Sequence, residues 1–451
     1  MKRRAFLKNL AASGLALNMP LLSSNAHAMT QPQQYLIMVQ ADGGWDPTSF
    51  CDPKGLNQAY SDKSALHGGS TNSVALNPSN VLGDIRWSDM PDVEGIDSVD
   101  AARIQAQIDG FFTTYGDRMT VINGIDTTTN NHDVGKRYMW SGNIDVSHPS
   151  FAAFYAGALA PNLPLAFMSN GGFDYTASVV ARTRARSPSL ISEIAEPNLT
   201  YGGRNFLLAD DEMDVYAEVL SMQQNRLARQ LATEELERRR VQMGQLFGVR
   251  SNEADLSAMS PYLADIQANV SPDDHWNPER ADSFKGQAQL VAAAMKANLA
   301  ISANLYMMGF DTHDNHDSRS FPLMGDLCEG IHYLMVLLEY LGIREQTTVV
   351  VGSDFGRSPY YNVGKGKDHW PITSMLVIHG GQVVTGGRVF GVTTDDFNAV
   401  KIDTSTGLAG ESGLILEANL VNQELRKLMG VADHSLAELF PLPESAFNIF
   451  G

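Results

Sequence analysis

The chain has 451 residues, 43% of them hydrophobic, with 33 basic against 51 acidic side chains and a formal charge of −18. That much apolar sequence supplies a large core, and the charge opposes binding to nucleic-acid phosphates. Two cysteines, Cys51 and Cys328, exclude a disulfide framework.

The N-terminal Lys2-Arg3-Arg4-Ala5-Phe6-Leu7-Lys8 fits the twin-arginine export pattern. A mildly apolar stretch from Leu10 to Leu22 follows, then Ala26-His27-Ala28, a small-x-small cleavage signal. Asn18 and Pro20 interrupt that stretch, which is shorter than the ~20 apolar residues a membrane span needs. The expectation is a signal peptide over 1–28 and a mature domain over 29–451, periplasmic or secreted, with the export machinery as a partner. The twin-arginine route carries folded proteins, often with a cofactor already loaded. Cleavage removes Lys2, Arg3, Arg4 and Lys8 and no acid, so 29 basic residues face 51 acidic ones and the charge becomes −22. No later run reads as a membrane span, so the mature chain is expected to be soluble, without stable membrane insertion.

Short apolar runs at Tyr35–Gln40, Met119–Asn123, Pro164–Met168, Leu305–Met308, Thr347–Val351 and Ser374–Ile378 predict strands buried on both faces. Between them, 100–116, 133–142, 283–301 and 321–341 carry helical periodicity. The alternation predicts an α/β fold, a mainly parallel central sheet with helices on both faces. Residues 205–282 are rich in Glu, Arg, Gln and Met and read as a helical insertion packed on the main domain. One long amphipathic helix there includes Glu234, Glu235, Glu237 and Arg238–Arg240, with breaks at Pro261 and Pro272. Cys328 shares a helical apolar face with Leu327, Ile331 and Leu334 and is expected to be a buried thiol.

Polar clusters fall at strand ends. They are Asp42-Gly43-Gly44-Trp45-Asp46, Asp126 to Asp133 with His132, Asp311 to Asp317 with His313 and His316, and Ser353-Asp354-Phe355-Gly356-Arg357. Lys367-Asp368-His369 stands just before the Ser374–Ile378 strand. In an open α/β sheet ligands bind at the carboxyl ends of the strands, where the first four clusters would converge. Mixed carboxylate and imidazole groups suit a divalent metal, zinc or manganese more than calcium. Asp311 and His313 share a face if their strand persists. Each residue also has a plainer reading: Asp42 and Asp46 shaping a turn, His316 and Asp317 capping a helix, Asp368 pairing with Lys365 or Lys367. No P-loop, dinucleotide fingerprint, nucleophile elbow or His-Glu-x-x-His competes.

The pieces Gly309-Phe310-Asp311-Thr312-His313, Ser353-Asp354-Phe355-Gly356-Arg357, Lys367-Asp368-His369 and Gly386-Gly387-Arg388-Val389-Phe390-Gly391 occur in that order. They resemble the twin-arginine-exported family of domain of unknown function 1501, which groups with the alkaline phosphatase superfamily. The likeness covers most of 35–442 and is strongest over 305–391. The family has no established general activity. The superfamily resemblance implies a metallohydrolase site with two metal positions, one acidic ligand being Asp42, with Asp46 as the alternative. It implies a nucleophile opening a helix that ends in Gly about ten residues on. Counting back from Gly142 reaches His132, where sulfatases, phosphatases and related mutases carry Cys, Ser or Thr. Asn315 stands where the superfamily has a His, so His313 or His316 must serve, and strand geometry favours His313. Asp354-Phe355 replaces an Asp-His pair, and His369 maps onto the last ligand histidine. Asp311, His313 and His369 thus form the better-preserved site, with Asp42, Asp354 and His132 as a weaker second one.

Two readings follow. In the first, the protein is an exported metal-dependent hydrolase of small anionic phosphate or sulfate esters, the metal polarising the ester oxygen and acidifying water. Arg357 then braces an anionic oxygen, or is an ordinary surface ion pair. His132 serves as ligand or base ahead of nucleophile. In the second, the chain is a catalytically degenerate scaffold acting as a binding or assembly protein, as His132 and Phe355 in their positions suggest.

Overall fold

The computed structural model describes residues 34–54, 80–90, 92–184, 210–236, 239–240, 243, 257–270, 278–381 and 386–451. The signal-peptide expectation, and those on 205–209, Glu237, Arg238 and Pro272, lie outside the described residues.

The apolar runs become the strands. β1 (Tyr35–Asp42) is buried up to its last residue, and β8 (Thr347–Ser353) and β11 (Ile372–Ile378) are buried throughout. Stripping both faces of such strands from water favours a central position in a covered sheet. Around them lie β4 (Met119–Asp126), β5 (Phe167–Ser169), β6 (Arg182–Thr183), β7 (Ser302–Met308) and β12 (Arg388–Phe390). The sheet order among the described residues is β12-β4-β11-β8-β1-β7-β5-β6. β1 pairs in parallel with both neighbours, Val39 standing opposite Leu305 and Val351. β11 runs antiparallel to β4 and β8. Its amino end therefore lies at the carboxyl edge of its neighbours, so Lys367-Asp368-His369 reaches the same edge as the other four clusters. A second feature at that edge is the hairpin of β9 (Gly356–Tyr361) and β10 (Lys367–Trp370), which sets His369 opposite Arg357. β2 (Asn80–Leu82) and β3 (Ile85–Trp87) form a separate pair.

The helices are α1 (Ser98–Tyr115), α2 (His132–Ser141), α3 (Phe151–Leu159), α4 (Asp210–Thr233), α5 (Ser260–Asn269), α6 (Pro278–Lys296), α7 (His316–Tyr340), α8 (Ala418–Leu428) and α9 (Ser435–Leu439). α3 and α6 pack on β7, α8 packs on β4, and α7 packs on α1 and α6. Asp97 caps α1 by accepting from the amides of Val99 and Asp100, and Ile104, Ile108, Phe111 and Phe112 bury one face. By length and composition α7 could cross a membrane, contrary to the sequence expectation, but 78% of its apolar window is buried within the protein. Cys328 lies on that buried helix as a free thiol, as expected. The long charged helix is not continuous: α4 stops at Thr233 and Glu234 and Glu235 lie beyond it, while Arg239 and Arg240 are again helical. Pro261 opens α5, where a missing amide proton costs no helical bond.

Candidate metal centre

β1 ends at Asp42 and turns through Gly43 (φ 117°) and Gly44 (φ 79°). A Cβ at Gly43 would lie 2.5 Å from the Asp311 amide nitrogen, and one at Gly44 2.8 Å from the Phe355 ring, so both positions demand glycine. The turn's amides point at Asp354, which follows β8: Oδ1 accepts from Gly44 N at 2.6 Å, Gly43 N at 3.2 Å and Ser353 Oγ at 2.9 Å. Its Oδ2 lies 2.5 Å from His132 Nδ1. Burial resists ionisation of Asp354, but the bonds from His132 and Ser353 hold its carboxyl below the usual range. An ionised carboxylate only accepts, so His132 Nδ1 is the donor and Nε2 is the nitrogen left facing the cluster. The bond to Asp354 outweighs burial and raises the proton affinity of His132.

His132 is the first residue of α2. Asn131 caps the helix through the Val134 amide, and Gly142 closes it at φ 73°. Gly135 sits one turn in, where a Cβ would meet the Asp354 carbonyl oxygen at 2.7 Å, so the helix lies directly on the Asp354-Phe355 corner.

His369, on β10, places Nδ1 2.7 Å from the carbonyl oxygen of Asn130, which can only accept. Nδ1 therefore carries the proton. Burial lowers the proton affinity of this imidazole, so Nε2 presents a lone pair. His313 has Nδ1 3.2 Å from Asp368 Oδ1. Burial opposes ionisation of Asp368, yet its bonds from Asn362 and His313 prevail and its carboxyl is held low. All three histidines thus tie Nδ1 to an acceptor and turn Nε2 inward, the arrangement that orients imidazole ligands.

The inward atoms converge on Asp311. His313 Nε2 is 3.0 Å and His369 Nε2 3.3 Å from Asp311 Oδ1, and His132 Nε2 is 3.6 Å from Oδ2. His313 Nε2 and His369 Nε2 are 2.9 Å apart. With the protons on Nδ1, two lone pairs face each other there, the Arg357 guanidinium lies 3.5 Å from His313 Nε2, and a small cation between the two imidazoles would satisfy both. Ligand atoms ~2.0–2.1 Å from a tetrahedral ion are about 3.3 Å apart, so the 2.9, 3.0 and 3.3 Å spacings among Asp311, His313 and His369 suit one small divalent ion. Ligand atoms of His132, Asp311 and His369 all lie within 4.8 Å of one another, and His313 adjoins two of them. Three imidazoles and one carboxylate favour zinc or another transition ion over calcium. Asp311 and His313 are about half exposed, so the cluster opens to solvent.

Several expectations change on this geometry. β7 ends at Met308, so the loop, not a continuing strand, brings Asp311 and His313 together. His132 joins Asp311 and His369 and not a second site. Asp354, expected as a ligand, has its oxygens engaged by backbone, Ser353 and His132. Asp42 is likewise engaged, Oδ1 with Lys136 Nζ at 2.6 Å and Oδ2 accepting from Tyr306 at 2.6 Å. Arg357 is fully buried, so it is no surface pair. It donates to Gly43 O, to Gly44 O at 2.8 Å, to Lys367 O at 3.0 Å and to Asp311 Oδ1 at 2.5 Å. The fork is taken up inside the protein, fixing the glycine turn and Asp311 rather than meeting an external oxygen. Burial opposes ionisation of Asp311, but Arg357 overrides it and holds that carboxyl low.

The alternatives Asp46 and His316 pair with each other in a separate buried network. Asp46 Oδ2 meets His316 Nε2 at 3.0 Å and Lys367 Nζ at 2.6 Å, and Oδ1 accepts from Thr48. His316 Nδ1 is held by Thr312 Oγ1 at 2.6 Å. Asp368 meets His313 and Asn362, while Lys365 pairs with Glu94. Lys136, Tyr306 and the Asn130 carbonyl were not anticipated. Only the helical spacing of His132 and Lys136 pointed to any of them.

The protein is thus a mixed α/β domain with a histidine–carboxylate cluster at the carboxyl edge of a mainly parallel sheet. Its sequence matches the family described as "Protein of unknown function (DUF1501)" over residues 33–406, and the chain belongs to that family. No curated protein matches it. Among solved structures it is similar to the PsFucS1 sulfatase from Pseudoalteromonas sp., at 10% identity and TM-score 0.37, over 95% of this chain and 71% of that one. It is also similar to Ps i-CgsB bound to k-i-k-neocarrahexaose, at 9% identity and TM-score 0.38, over 92% and 75% of the two chains. A mutant TAB5 alkaline phosphatase with magnesium bound aligns at 12% identity and TM-score 0.31, over 80% of this chain and 94% of that one. At such values the likenesses say nothing of this chain's chemistry.

Proposed function

We propose that this chain is an exported, metal-dependent hydrolase of phosphate or sulfate esters, built on one metal centre. The observation that carries the reading is the convergence of three Nε2 atoms on Asp311 with every Nδ1 locked to an acceptor. His132, Asp311, His313 and His369 would hold the ion, zinc or manganese by the chemistry of the donors. When bound, a divalent ion supplies a Lewis acid that polarises an ester oxygen and acidifies water. The chain's own residues prepare that chemistry. Asp354 fixes the tautomer of His132, Asn130 that of His369 and Asp368 that of His313. Arg357 keeps Asp311 ionised and in place. No hydroxyl or thiol stands where His132 stands, and its Nδ1 is engaged, so we assign it as a ligand and not a nucleophile. Export rests on the twin-arginine pattern and the Ala26-His27-Ala28 signal.

A second reading is supported by Phe355. This buried ring lies 4.7 Å from the His132 ring and 4.6 Å from that of His369, in the place where the superfamily resemblance implies another imidazole. That substitution favours a scaffold that binds without turning over. Metal-loaded protein assayed on aryl phosphates, phosphodiesters and aryl sulfates separates the two. Turnover that disappears in His369→Ala together with the metal supports the hydrolase. A full metal site with no turnover on any of these esters supports the scaffold.

A further inference from the structure

The carboxyl edge carries a second charged device that the metal cluster does not use. α2 places Lys136 one turn after His132, on the same face. Its ammonium is 2.6 Å from Asp42 Oδ1, and Asp42 is fixed in turn by the Tyr306 hydroxyl on Oδ2. An ammonium has three donors. One goes to Asp42, and among the described residues no hydrogen bond or ion pair takes the other two. The Lys136 side chain is only 25% exposed, so its position is largely set before anything binds.

Three other cations at this edge are committed elsewhere. Arg357 serves backbone carbonyls and Asp311, Lys367 is buried on Asp46, and Lys365 pairs with Glu94. A chain of this negative charge repels anions, so a tetrahedral oxyanion approaching the centre needs a fixed positive group beside the metal ligands.

We propose that Lys136 is the anion-recognition donor of the centre, receiving a peripheral oxygen of the phosphate or sulfate group while Asp42 and Tyr306 hold it in position. This rests on the hydrolase reading above and names the residue that selects anionic esters.

The test titrates inorganic phosphate and, separately, sulfate into the zinc-loaded mature protein by calorimetry, with metal content and melting temperature measured beside it. The variants are Lys136→Gln, Lys136→Met, which keeps the aliphatic stem, and Lys136→Arg. Removing the charge should weaken binding of at least one anion ~10–100-fold, the size of a charge-assisted contact, with metal content unchanged and Lys136→Arg restoring most of the affinity. The phosphate and sulfate arms tell which oxyanion the site prefers. If wild type binds an anion and both neutral variants bind it equally well, the role of Lys136 is overturned and the hydrolase reading stands. If metal-loaded wild type binds neither anion, the hydrolase reading fails with it. Neutral variants that lose the fold while Lys136→Arg folds and binds no anion would mark a structural ion pair and overturn the proposal.

Discussion

Replacing Asp354 with Asn changes one atom in a buried group and tests how the centre is oriented. In the native site Oδ1 accepts two amides and the Ser353 hydroxyl, and Oδ2 takes the proton side of His132 Nδ1. An Asn that keeps its oxygen on the Gly43 and Gly44 amides turns an NH₂ towards Nδ1. His132 must then accept at Nδ1 and carry its proton on Nε2, where it can no longer ligate. An Asn that flips keeps His132 correct but sets its NH₂ against two amide donors at 2.6 and 3.2 Å, losing both bonds. Losing such an outer partner costs ~10–100-fold in metal affinity, about 1.4–2.8 kcal/mol. Competition with a chromophoric chelator measures the affinity, and urea unfolding of the metal-free protein shows whether the Gly43–Gly44 turn suffers as well. If Asp354→Asn binds zinc as tightly as wild type and is equally stable, the orienting role of Asp354 is wrong.

Asp46→Asn should destabilise the protein by roughly 3–5 kcal/mol at pH 7, because it strands the buried Lys367 ammonium. Burial resists ionisation of Asp46, yet Lys367 and His316 hold its carboxyl far below the usual range. Its contribution is therefore full above an unfolded value of ~3.9 and fades as pH falls below it, so the gap to the Asn variant should narrow from pH 7 to about pH 3. An unchanged gap in denaturant titrations at the two pH values would count against this. Gly135→Ala should lower the melting temperature despite the better helix former, since the methyl must displace the Asp354 carbonyl or the Phe355 ring, at ~1–3 kcal/mol; a rise would refute the tight packing of α2. Changing Arg3 and Arg4 to Lys should leave uncleaved precursor in the cytoplasm on fractionation, and normal arrival in the periplasm would defeat the export assignment.

Strands buried on both faces were legible because their apolar runs admit few other readings: β1, β4, β8 and β11 begin within two residues of their predicted starts. α3 was missed because Phe151–Leu159 is apolar all round, and a helix without a polar face has no period to read. The direction of β11 is a pairing choice made by β4 and β8 and leaves no mark in its own residues. Asp311, His313 and His369 were legible as ligand types near strand ends, and His132 as the opening of a helix closed by Gly142. What could not be read was which lone pairs remain free. Asp42 and Asp354 have ligand chemistry in sequence, but Lys136, Tyr306 and the Gly43 and Gly44 amides occupy their oxygens. Neither reading of Arg357, as a brace for an anion or as a surface pair, saw its burial, because its carbonyl partners, Gly43 and Gly44, lie more than three hundred residues away along the chain.

The most direct test is elemental analysis of the purified protein. Wild type should carry about one transition-metal ion per chain, and joint replacement of His132, Asp311, His313 and His369 by Ala should remove it while the domain stays folded. A wild-type protein without metal after loading, or stoichiometric metal that survives in the quadruple variant, would contradict the proposed centre.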